Sequence, residues 1–138
     1  MPFSIRIDDA PPASGFDIGE LILIDPVSGR RSSAQPNKRC YMVYVELSAL
    51  LDQVLFSKTN NQIGAYKLPG GSEVKIDGKK NNVVLSFPDL VLTQSLNATL
   101  HDLREVMLLG LETLSREADP NDVMIQQLRD GIDSFAVS

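Results

Sequence analysis

The spacing of apolar residues changes several times along this chain, and each change predicts a different element. Phe3, Ile5 and Ile7 alternate with Ser4, Arg6 and Asp8, the period of a strand with one buried face. "APPASG" breaks that pattern. "IGELILID" follows, and its run Leu21 to Ile24 is apolar on both faces, as in a central strand covered from two sides. Asp25-Pro26 ends that strand. From Val43 the spacing becomes three and four, through Tyr44, Leu47, Leu51, Val54 and Leu55, which predicts a helix of about four turns. The turn formers of "SKTNNQ" stop it.

Period two then returns. "IGAYKL" runs into Pro69-Gly70-Gly71, a turn signal, and "EVKID" and "VVLSF" flank "GKKNN" as an antiparallel hairpin. Pro88 interrupts, leaving "LVL" at 90 to 92 as an extension past a bulge or an edge segment. In the last third Leu100, Leu103, Met107, Leu111 and Leu114 share a helix face. Thr99 with Asp102 predicts a capping box, so this helix starts there or a turn earlier. Asp119-Pro120 predicts a second start, and Met124, Ile125, Leu128, Ile132 and Phe135 line the helix that follows. The link between the two is short enough to make them an antiparallel pair. The expected fold is α+β in a single domain over residues 1–138. It has a mainly antiparallel sheet of about five or six strands, one helix after the second strand, and a C-terminal antiparallel helix pair.

Charge changes this picture more than composition does. Residues 1–80 carry 10 Lys/Arg against 9 Asp/Glu, whereas residues 81–138 carry 3 against 9. The acidity lies in the C-terminal helices, where it repels nucleic acid and anionic membranes and steers a basic partner. The basic run is "SGRRSSAQPNKRC", with Arg30, Arg31, Lys38 and Arg39. It has no Gly-rich phosphate geometry and is expected to be a mobile surface connection. With one cysteine, Cys40, no internal disulfide is possible. The N-terminus has no basic and apolar leader, and no apolar window approaches a membrane span. A cytoplasmic protein with no membrane or nucleic-acid partner is expected.

Candidate chemistry is sparse. His101 is the sole histidine and makes an i, i+4 pair with Glu105, but two donors do not complete a metal site. A triad would have to use that same histidine, and no nucleophile elbow is present. "KLPGGSE" and "DGKKNN" sit between strands rather than at a helix N-terminus, and neither matches a phosphate loop. No catalytic residue, metal or cofactor is expected. Leu108 and Leu109 lie off the apolar stripe, among acids. Either the last helix covers them, or they are apolar anchors inside an acidic rim, the anatomy of a partner surface. The candidate binding residues are therefore Asp102, Glu105, Leu109 and Glu112, with Arg30 and Arg31 as a secondary contact.

"FDIGELILID", "YMVYVELSALLDQVLF" and the strand-rich middle before two helices resemble, in general layout, bacterial toxin-immunity proteins, including those of contact-dependent inhibition systems. The resemblance implies a non-catalytic protein that occludes a cognate toxin. Against a basic nuclease toxin, Asp102, Glu105 and Glu112 would stand in for phosphates. Size, acidity and mixed topology also resemble secretion or assembly chaperones, which implies a homodimer holding an extended client. A small enzyme is the reading that the missing motifs disfavour.

Overall fold

The computed structural model describes residues 3–7, 13–33, 41–68 and 72–134. The first strand, β1 (Phe3–Ile7), pairs antiparallel with β2 (Ile18–Ile24), with Phe3 opposite Leu23 and Ile7 opposite Gly19. The other edge of β2 carries two short strands, β3 (Arg31–Ser33) opposite Ile22 to Ile24 and β4 (Tyr41–Met42) opposite Ile18 and Gly19. β2 is thus central, as its apolar run predicts. Only one of its faces is fully buried, however: Leu21 and Leu23 point into the core, while Ile22 and Ile24 are half-covered. Gly19 is required where β1 and β2 cross, because a Cβ there would lie 2.1 Å from the Arg6 carbonyl oxygen.

The helix α1 (Val43–Thr59) follows β4 directly. It ends on Asn60 and on Asn61, which adopts the left-handed conformation (φ 49°) that asparagine tolerates. A second antiparallel sheet then forms as a meander, in the order β5 (Ile63–Lys67), β6 (Glu73–Asp77), β7 (Asn82–Phe87) and β8 (Leu90–Ser95). Between β6 and β7 the Asp77 carboxylate accepts the amide N–H of Lys79 and of Lys80, both at 3.0 Å, which shapes the turn. "LVL" belongs to a separate edge strand, joined to β7 by the two-residue turn Pro88-Asp89.

The helix α2 (Leu96–Glu117) starts a turn before Thr99, and its cap is Ser95, whose hydroxyl accepts the Ala98 amide at 3.1 Å. Thr99 is instead buried and donates its hydroxyl back to the Ser95 carbonyl at 3.0 Å. The last helix, α3 (Val123–Ser134), begins three residues later than Asp119-Pro120 suggests. Asp119 turns the chain by accepting the Asn121 amide at 2.8 Å. Asp122 takes the capping place by accepting the Met124 amide at 3.0 Å, and it also holds the Gly15 amide at 2.8 Å. Gly110 faces Leu128 and Gly131 faces Met107, so residue numbers rise along one helix as they fall along the other. α2 and α3 are therefore antiparallel, as expected. Phe135, Pro69 to Gly71, Lys38, Arg39 and Cys40 lie outside the described residues.

One apolar cluster draws on both sheets and all three helices, including Leu23, Leu47, Leu85, Leu103 and Leu128. α1 lies across both sheets: Tyr44 near its start borders Phe3 and Ile5 of the first, and Ser57 near its end backs Gly64 of the second. The architecture is α+β, but among the described residues it contains two four-stranded sheets rather than one of five or six strands, and the first helix follows β4 rather than β2. The physical reason is that β3 and β4, at 3 and 2 residues, are too short to carry an apolar alternation. β3 falls in the stretch predicted to be a mobile connection, and β4 directly follows that stretch. β3 is in fact clamped to the other sheet. Arg30 donates Nη2–H to the Asp89 carbonyl at 3.0 Å, and the Asp89 amide donates to Ser32 Oγ at 3.2 Å.

Candidate functional site

Residues three and four apart on a helix share a face. Asp102, Glu105, Leu109, Glu112 and Arg116 follow that spacing along α2 and form one outward stripe. α3 packs on the opposite side, against Met107 and Gly110, so it does not cover Leu109, which remains 54% exposed. Leu108 is half-buried.

Beside this stripe α2 and β1 line a cavity of about 260 Å³. Phe3, Ile5 and Ile7 form one wall, Val106, Leu109 and Thr113 the other, and Tyr44 of α1 lies between them. Burial falls steadily along β1: Phe3 is 1% exposed, Ile5 is half-buried and Ile7 is 37% exposed. The groove therefore opens toward the Ile7 end. Gly110 keeps its floor intact, because a Cβ there would sit 2.7 Å from Tyr44 Cε1. Burial of that ring raises the Tyr44 pKa above the ordinary tyrosine value, with Asp17 and Glu117 adding to the shift.

The acids sit on the solvent side of Leu109. Glu105 lies 3.9 Å from Arg104 and Glu112 lies 3.6 Å from Arg116. Exposed pairs of this kind are worth roughly 0–1 kcal/mol, little enough for a partner's cation to replace the arginine. Asp102 differs. It is half-buried toward β8, where Gln94 Nε2 reaches its Oδ2 at 3.4 Å and Thr99 Oγ1 at 2.9 Å. Desolvation raises its pKa, while the Gln94 hydrogen bond and His101 oppose the shift.

Of the predicted residues, Asp102, Glu105, Leu109 and Glu112 are brought together. Arg30 and Arg31 are not: they lie at β3, on the far edge of the first sheet from the groove. β1 and β3 flank β2, so roughly 10 Å separates them. Both arginines are exposed, and Arg30 is engaged in the clamp to Asp89. The β1 wall of the groove was not singled out from sequence. Its alternation predicts a strand with one apolar face and does not say whether that face is covered throughout.

Among the described residues, no three His, Cys, Asp or Glu side chains are grouped closely enough to hold a metal ion, and no helix is long and apolar enough to cross a membrane. Comparisons with protein-family models, curated proteins and solved structures give no match to this chain.

Proposed function

We propose that this chain is a non-catalytic protein-binding module that takes a basic protein partner on the α2 stripe and the groove beside it. The observation that carries this reading is the exposed Leu109, set in line with Asp102, Glu105 and Glu112 at the mouth of an apolar groove. An apolar anchor inside a charged rim is how protein interfaces are built, with the anchor supplying binding energy and the rim supplying steering and specificity. Neutralisation of a bacterial toxin by occlusion of its working surface, as an immunity protein performs it, is the biological role this surface fits best. The compartment is then the cytoplasm.

Affinity purification from the native cell tests the proposal, with the wild-type chain and a Glu105→Lys, Glu112→Lys double variant as baits. One basic protein should be retained by the wild type, released by moderate salt, and lost with the double variant. Retention of unrelated unfolded chains by both baits, together with a homodimeric state, would instead favour the assembly-chaperone reading.

A further inference from the structure

We infer that β1 is a strand-addition edge: an extended segment of the partner, with apolar residues at alternate positions and Lys or Arg at either end on the same face as them, pairs onto β1 and places its apolar side chains under α2 and its cations against Glu105 and Glu112. This inference rests on the protein-binding reading above and specifies how the partner is held.

β1 has β2 on one side and, among the described residues, no strand on the other. Edge strands are commonly blunted by proline, bulges, outward charges or very short length. β1 is five residues long, has no proline, pairs with β2 without a bulge, and ties its one charge, Arg6, across to Glu20 at 2.6 Å. The opposite edge strand, β3, is only 3 residues long and is clamped to the turn at Asp89.

The space beside β1 suits a strand. A cavity of about 260 Å³ falls below the roughly 300–1,000 Å³ of small-molecule sites. An added strand sits about 4.8 Å from β1, whereas a helix needs about 8–10 Å from the axis of α2. The apolar row Phe3, Ile5 and Ile7, half open toward solvent, provides alternating contacts for side chains of period two. Charge decides between occupants. A second copy of this chain related by a two-fold axis would set Glu105 and Glu112 against their own equivalents. A basic segment meets them with opposite sign.

The test uses the full chain and short synthetic peptides, with hydrogen exchange and NMR titration as readouts. The peptide Lys-Ser-Val-Ser-Val-Ser-Lys, which sets its Lys and Val side chains on one face, should slow amide exchange within Phe3–Ile7 and shift the Leu109 and Val106 methyl signals. Successive amides of a strand point to opposite edges. N-methylation of the Lys and Val positions or of the Ser positions should therefore weaken binding by at least about tenfold in one case only, the loss expected for one or two net hydrogen bonds. Leu109→Arg, at an exposed position, should also weaken binding while leaving the unfolding midpoint unchanged. Equal binding of both methylated peptides, or no binding of any peptide, would overturn strand addition and leave the acidic-groove reading standing. Equally tight binding of the peptide with Glu in place of both Lys residues would overturn that reading itself.

Discussion

The two sides of α2 are built from the same residue type and end differently. Leu103 and Leu114 belong to the apolar core and are fully buried, whereas Leu109, on the same helix, is 54% exposed. The difference arises from where α3 lies. The short connection after Glu117 returns the chain along the Met107 and Gly110 side, which, among the described residues, leaves the Leu109 side to β1 and to Tyr44 of α1. Five strand residues do not cover 22 helical ones, and the uncovered remainder is the groove. An apolar residue outside a helix's core stripe therefore marks a surface only when the next element packs elsewhere.

The comparison breaks most sharply by deletion of the same side chain on each face. Leu103→Ala should destabilise by about 2–5 kcal/mol, because the site is closed on all sides and a cavity remains. Leu109→Ala should cost no more than about 1 kcal/mol, part of the transfer value of a fully buried leucine. Chemical denaturation of the two variants measures both, and similar losses would refute the assignment of faces. Gly110→Ala tests the seam between the faces. Its new methyl group would press on the buried Tyr44 ring, and overpacking of this kind costs about 1–3 kcal/mol.

Asp102 gives the smallest effect. Because burial raises its pKa, the native state binds this proton more tightly than the unfolded chain does. Its contribution to stability is therefore present at low pH and is lost as pH rises from the ordinary aspartate value of about 3.9 through the raised native value. Asp102→Asn should flatten that part of the stability curve, as thermal melts across the acidic range would detect. A steeper fall in the variant would mean that Asp102 is stabilised as the anion.

How much of this was legible depends on element length. α1 and the central strands β6 and β7 follow their apolar periods closely, whereas β5 and β8 leave Ile63 and Val91 exposed, and the acidic stripe on α2 was recognisable from spacing alone. β3 and β4 were not, since Arg-Ser-Ser and Tyr-Met carry no period and are ordered by their neighbours on β2 and by the clamp to Asp89. The spacing placed the start of α2 at Thr99 or a turn earlier, and it is the earlier start, on the Ser95 cap, that forms. What decides is that Thr99 is buried against Gln94. The β1 wall of the groove required the fold, because a strand's pattern names its apolar face without naming what stands opposite.

The central claim is that α2 and β1 together form the contact surface. Hydrogen-exchange mapping of the chain with its purified partner tests it most directly. Slowed exchange confined to residues 3–7 and 102–116 is the predicted result. Protection centred instead on the exposed face of the second sheet, around Ile63, Lys75 and Val91, would contradict it.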